Sequence, residues 1–259
     1  MISLSVLLAF AFAAVCTLIV PAILLFVLCL KHKISQKPMW IGAAAFFVSQ
    51  ICLRLPILSA LGKQEWFQAF AKNNFIPYVI ALAFTAGLFE EGARYLGARY
   101  LLKKQRAFRD AVAFGLGHGL CETVLLVGLT EVSNLIFCLM LNNGTLPASA
   151  PALKPAVDAL LAVAPYTVYM AVWERIFTVL FHVFASVLVF LGVREGKFRF
   201  WLYALAAHTL TDSVIPLLSK YGTAWASEFA VGIVGAAGLW LVFQMRPAFQ
   251  KKELTDESA

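Results

Sequence analysis

The sequence predicts an all-α fold, a polytopic bundle of about seven transmembrane helices that forms a single integral membrane domain over residues 1–259. Only 14% of the residues are charged and 61% are hydrophobic, whereas soluble domains carry about 25% charged residues. The mean hydropathy of +0.83 excludes a soluble enzyme domain and a disordered chain. Apolar residues come in unbroken runs instead of the alternation of a β-barrel, so the predicted spans are helices.

Seven apolar runs are separated by polar loops, and each is long enough to cross a bilayer. They are residues 2–30, 39–61, 76–102, 110–140, 156–193, 200–218 and 223–245. Pro77 falls in the first turn of the third run, where a helix tolerates proline. The fifth run exceeds one span. We expect its crossing to begin near Glu174, with residues 156–172 on the outer surface or dipping into the membrane and returning.

The basic residues predict the orientation in the membrane. Loops 31–38, 99–109 and 194–199 and the C-terminal tail hold 14 of the 21 Lys and Arg residues, and the opposite loops hold 4. The expected location is the cell membrane of a bacterium. The positive-inside rule then places the N-terminus outside the cell and the C-terminus in the cytoplasm. Seven crossings fit this pattern; eight, the alternative, would put loop 194–199 on the wrong side. Because the charge of +7 lies in these loops, its expected partner is the lipid bilayer and not nucleic acid.

Ionisable residues inside the predicted spans are the main indication of function, because each costs several kcal/mol at mid-bilayer. They are Glu90, Glu91, Arg94, His118, Glu122, His182, His208 and Asp212. Helical rise puts the carboxylates and imidazoles of four spans at a common depth, roughly 14–17 Å from the cytoplasmic ends. Three pairs at i and i+4 share a helix face. Polar residues that merely hold helices together are the alternative for any one of them.

Three residues outside this level and three glycines have separate interpretations. We expect Glu174 and Arg175 to be an interfacial anchor and Glu131 to lie at the outer headgroups. Glycines 115, 117 and 119 flank His118. They indicate the close approach of a backbone or a substrate, or small-residue helix packing.

The residue types favour hydrolysis of an amide bond. A carboxylate beside a histidine in a dry site is a general base that activates water, and further His or Asp groups stabilise an oxyanion. The same residues can instead bind Zn²⁺, with His118, His182 and His208 as ligands. A His-Glu-x-x-His helix is absent from the sequence. The competing class is a transporter or a proton-coupled channel lined by His and Glu.

Three motifs carry a resemblance to a known family. Glu90-Glu91-Gly-Ala-Arg94, Phe114-x-x-x-His118 and His208-x-x-x-Asp212 are similar to the signatures of the CAAX-protease and bacteriocin-processing superfamily, closest to its PrsW-like and YhfC-type branch. The motif-bearing core is about residues 76–218. Here two residues separate Glu91 from Arg94, where the superfamily has three.

The resemblance implies an intramembrane endopeptidase of the glutamic type that cleaves a membrane protein or peptide. The resemblance implies that Glu90 or Glu91, together with His118, activates the water. It also implies that His208 and Asp212 bind the oxyanion, and that no cofactor is needed. Superfamily position favours Glu90 as the base. Local geometry favours Glu91, because Glu90 can pair with Arg94 at i+4. Glu122 and His182 are additional to the motifs and would complete a metal site, with zinc as the possible ion; members of this branch are described as metalloproteases.

Overall fold

The computed structural model describes residues 1–31, 34–146 and 151–256. This part of the chain contains helices and no β-strand. The helices are α1 (Leu4–Leu30), α2 (Gln36–Leu61), α3 (Glu65–Asn73), α4 (Phe75–Leu101), α5 (Phe108–Asn142), α6 (Lys154–Leu161), α7 (Pro165–Glu195), α8 (Arg199–Tyr221) and α9 (Ala224–Asp256).

Six of the described helices are long and apolar enough to cross a membrane: α1, α2, α4, α5, α7 and most of α9. The predicted polytopic helical bundle is therefore confirmed. The sixth predicted run, at residues 200–218, corresponds to α8, which has 23 residues and a length of about 35 Å. It is more polar than the other six because it carries His208, Asp212 and neighbouring hydroxyl residues.

Helix α7 forms the centre of the bundle and packs against α1, α5, α8 and α9. Its second half is almost completely buried, from Phe181 to Val193. Val187 and Phe190 join Phe114 of α5 in the main apolar core. On α7, this core begins at Val183, the residue after His182, and so anchors the part of the helix that carries the histidine.

The fifth apolar run differs from the expectation that residues 156–172 lie on the surface or dip in and return. A short helix, α6, ends at Leu161, and α7 then continues without a break from Pro165 to Glu195. Pro165 occupies the first turn, where its missing N–H is tolerated, and Gly196 ends the helix at φ +69°, a conformation that favours glycine. Residues 165–172 are thus part of the long helix.

Two of the glycines around His118 allow close helix packing. A Cβ atom on Gly117 would lie 1.9 Å from the carbonyl oxygen of Met39 in α2, and one on Gly115 would lie 2.5 Å from the Cα of Val183 in α7. The helix-packing interpretation accounts for both positions. Because α5 is pressed against α2 and α7 at this point, His118 is held between them.

Candidate active site

The ionisable residues predicted from the sequence come together in the middle of the bundle. The described part of the chain supplies them from α4 (Glu90, Glu91 and Arg94), α5 (His118 and Glu122), α7 (His182) and α8 (His208 and Asp212). Glu90 is 15 residues from Phe75 and 11 from Leu101, which is about 22 Å and 16 Å along α4. The cluster therefore lies at mid-depth.

Glu90 is the centre of this cluster. One of its carboxylate oxygens lies 2.9 Å from Nε2 of His118, 3.7 Å from Nε2 of His208 and 3.9 Å from Nδ1 of His182. The side chain of Glu90 is 7% exposed and that of His118 is fully buried. A buried carboxylate surrounded by imidazoles either exchanges protons with them or shares a cation with them.

Glu91 has a different role, and the expected pairing of Glu90 with Arg94 is wrong. The guanidinium Nη1 of Arg94 donates to both carboxylate oxygens of Glu91, at 2.9 and 3.2 Å. Nδ1 of His208 lies 2.8 Å from the same carboxylate. Glu91 and Arg94 are both fully buried, so the pair neutralises two charges that neither residue could carry alone in the bundle. This leaves Glu90 without a cationic partner from its own helix.

Glu122 and Arg175 connect the cluster to α7. Nε2 of His182 lies 2.6 Å from one oxygen of Glu122, and Nη1 of Arg175 lies 2.8 Å from the other. Arg175 also pairs with Glu174. Both side chains of the Glu122–Arg175 pair are at most 13% exposed. The expected interfacial anchor is therefore wrong for Arg175, because this residue turns inward and neutralises Glu122.

Sequence reasoning missed Arg175 although the signal was present. Arg175 and His182 are seven residues apart on α7, which places them on the same helix face. The expected position of Glu131 at the headgroups stays a prediction. This residue is 8% exposed, and it lines a cavity together with Phe10, Leu160 and Val168.

The candidate metal ligands are Glu90, His118 and His182. Their ligand atoms all lie within 4.8 Å of one another, and all three residues are buried. Two ligands at about 2.1 Å from a tetrahedral zinc ion are about 3.4 Å apart, between the 2.9 and 3.9 Å distances from Glu90. Two imidazoles and one carboxylate are a known ligand set for catalytic zinc. The donor set fits a divalent ion, although it differs from the predicted set of three histidines.

The neighbours of these candidate ligands decide how a cation would be held. Glu122 faces the second nitrogen of His182, the usual arrangement for a ligand histidine. Arg94 Nη2 lies 3.2 Å from Nδ1 of His182, so a cation on this nitrogen would replace that hydrogen bond. His208 is held by Glu91 through Nδ1 and lies outside the three-residue group.

The site opens into two connected spaces. A cavity of about 90 Å³ is lined by Glu90, Glu122, His182, His208 and Asp212. A larger groove of about 430 Å³ shares Glu90, Glu122 and Asp212 with it. Asp212 is 38% exposed and its Oδ2 lies 3.4 Å from Nε2 of His208. Both spaces therefore border Glu90 on the Asp212 side of the site.

Comparison with known proteins identifies the group to which these residues belong. Residues 16–234 match the family described as YhfC intramembrane metalloprotease. An uncharacterized membrane protein, YhfC of Bacillus subtilis (strain 168), is 29% identical over 229 residues, which cover 85% of this chain and 88% of the relative. No solved structure matches the chain.

Proposed function

The chain belongs to the YhfC intramembrane metalloprotease family, and from that premise we propose that it hydrolyses peptide bonds of membrane-embedded substrates at the Glu90 cluster. The observation that carries this proposal is the contact of one buried carboxylate with three imidazoles from three other helices. Ionisable groups at this depth in a membrane carry a large free-energy cost and therefore mark functional sites. The adjoining groove gives a substrate access to them.

Glu90, His118 and His182 are the residues that would hold a divalent cation, with zinc as the expected ion. A zinc ion supplies Lewis-acid polarisation of the scissile carbonyl. Glu122 orients His182 from behind, because its carboxylate lies 2.6 Å from Nε2 and so favours a proton on that nitrogen. Zinc binding therefore depends on a carboxylate that is not itself in the ligand group.

The chain's own acid–base groups supply the remaining chemistry. In a glutamic mechanism without a metal, Glu90 would instead be the carboxylate that accepts a proton from water, with His118 at 2.9 Å to relay it. In the metal-bound site these two residues are ligands, and the acid–base role passes to His208 and Asp212. Nδ1 of His208 is held by Glu91, which leaves Nε2 facing the cavity near Asp212. His208 and Asp212 would stabilise the oxyanion and protonate the leaving amine.

The membrane position of the cluster determines the substrate class. A peptide bond must lie near mid-bilayer to reach Glu90, so the substrate is a membrane-spanning or membrane-inserted segment.

We also propose that the N-terminus is outside and the C-terminus is cytoplasmic, as the basic loops indicate. The groove residues Phe75 and Pro216 would then lie toward the outer side.

The test is cleavage of transmembrane peptides by the purified chain in liposomes, with products identified by mass spectrometry. The Glu90→Gln variant keeps the shape of the side chain and removes the base, so turnover should fall by at least about 100-fold. Glu131→Gln is the matched control, because Glu131 is another buried carboxylate of the bundle that lies outside the cluster. It should cleave like the wild type.

Equal cleavage rates of the wild type and Glu90→Gln would contradict the proposal. So would the absence of any cleavage by the wild type across a broad peptide library. Proton or solute flux across the same liposomes, lost in Glu90→Gln, would then favour the transporter class.

A further inference from the structure

Arg54 is a cation in α2 whose hydrogen-bond partners are all neutral. Its Nη2 donates to the carbonyl oxygen of Leu82 at 2.8 Å, Nη1 to Oε1 of Gln50 at 3.1 Å, and Nε to Oγ1 of Thr85 at 3.3 Å. These bonds fix the guanidinium against α4. They also leave two of the five guanidinium N–H donors for a ligand.

The other two arginines within the predicted spans are neutralised. Arg94 pairs with Glu91, and Arg175 pairs with Glu122 and Glu174. Arg54 makes no ion pair with any carboxylate among the described residues, and its side chain is half-buried. An arginine inside a membrane bundle is costly and normally has a charged partner or a functional role. Glu90 and Asp212, which line the same groove, act on Arg54 electrostatically but make no ion pair with it, so its two unused donors point to an anionic ligand.

Arg54 and Glu90 line the same groove of about 430 Å³. The groove is lined by apolar side chains such as Val79, Leu82 and Ile215, together with the charged residues Glu122, Glu174, Arg175 and Asp212. Leu82 and Thr85, which hold the guanidinium, precede Glu90 by eight and five residues on α4. That spacing corresponds to about 8–12 Å along the helix axis. An extended peptide covers this distance in about two to four residues.

We propose that Arg54 is a specificity residue that binds a substrate carboxylate two to four residues from the scissile bond. This inference rests on the proposed peptidase function. The two free N–H donors match a carboxylate, which arginine binds with charge-assisted hydrogen bonds. The carboxylate comes either from the C-terminus of the substrate or from an Asp or Glu side chain, and the chemistry at Arg54 is the same in both cases.

The test uses three versions of one cleavable transmembrane peptide: one with a free C-terminal carboxylate near the cleavage site, one amidated there, and one amidated with an internal Glu. Each is given to the wild type, Arg54→Gln and Arg54→Lys. We expect the wild type to prefer at least one acidic peptide over the neutral amide by about tenfold in kcat/KM, through KM. Arg54→Gln should lose that preference, so that its kcat/KM values for the acidic and neutral peptides become equal, while Arg54→Lys should retain part of it. Preference for the first or the third peptide identifies the source of the carboxylate.

Binding of the fluorescently labelled peptides separates this inference from the peptidase proposal. In the Glu90→Gln background, Arg54→Gln should weaken binding of the acidic peptide about tenfold and leave the neutral amide unchanged. An equal effect on acidic and neutral peptides would assign Arg54 a structural role and overturn the inference. If Arg54→Gln does not fold, equal affinity of unmodified protein for acidic and neutral peptides overturns it as well. Charge-selective binding without any cleavage would contradict the peptidase proposal alone.

Discussion

Nε2 of His118 lies 2.9 Å from a carboxylate oxygen of Glu90, and the two residues are 28 positions apart in the sequence. This contact joins α5 to α4 at mid-depth. It depends on Gly115 and Gly117, which bring α5 close enough to α7 and α2 to hold the imidazole in place. The packing of small residues and the placement of the candidate catalytic pair are therefore one structural feature.

Metal content should distinguish the two zinc ligand sets. We predict about one zinc ion per purified chain, lost in His118→Asn and His182→Asn but retained in His208→Asn, because His208 contacts Glu91 and lies outside the three-residue group. Elemental analysis together with peptide cleavage measures both properties. His208→Asn should keep the metal and lose activity. Loss of zinc in His208→Asn would instead support His118, His182 and His208 as the zinc ligands.

Close packing at Gly117 should be visible in the stability of the bundle. Gly117→Ala puts a methyl group 1.9 Å from the Met39 carbonyl, so α2 and α5 must separate, at about 1–3 kcal/mol. Gly92→Ala is the matched control, because its Cβ would meet nothing within 4 Å, and it should be neutral or stabilising by up to about 1 kcal/mol. Thermal unfolding in detergent compares the two variants; equal midpoints would contradict the packing argument.

The buried pair of Arg94 and Glu91 gives a prediction about charge. Arg94→Met leaves Glu91 at a fully buried position with His208 as its remaining partner, which should destabilise the protein by up to roughly 3–5 kcal/mol. The double variant Glu91→Gln/Arg94→Met removes both charges and should recover much of that loss. Thermal unfolding of the two variants and the wild type measures the coupling. A double variant less stable than Arg94→Met would show that Glu91 does not depend on Arg94.

Membrane orientation can be tested by chemical labelling. In a chain without its native cysteines, single cysteines at Lys104 and Gly144 should react from opposite sides of the membrane. The first position lies in the basic loop between α4 and α5, and the second lies directly after α5. Membrane-impermeant thiol reagents should label Gly144→Cys in intact cells and Lys104→Cys only after permeabilisation. Labelling of both from one side would contradict the orientation.

The sequence was sufficient to predict the bundle and the residues of the cluster, because the physical signals are strong. Long apolar runs have few alternatives to membrane helices, and ionisable groups such as His118 and His208 are rare inside them. A helical rise of about 1.5 Å per residue then placed residues of different spans at one depth.

The partners within the cluster could not be predicted in the same way. Arg94 reaches Glu91 at i−3 and Glu90 at i−4 almost equally well on a helix, and the choice depends on contacts with His208 on α8. Arg175 faces Glu122 because of the rotation of α7 about its axis, which tertiary packing decides. The groove that Arg54 and Glu90 line exists only once α2, α4, α5, α7 and α8 have assembled.

The most direct measurement of the central claim is peptide cleavage in water enriched with ¹⁸O. If the Glu90 cluster catalyses hydrolysis, wild type should introduce one water-derived oxygen into the new carboxylate at a single site in the transmembrane peptide. Glu90→Gln should give at least about 100-fold less of this product, while Glu131→Gln gives the normal amount. A labelled product of the same yield from Glu90→Gln, or no labelled product from the wild type, would contradict the claim.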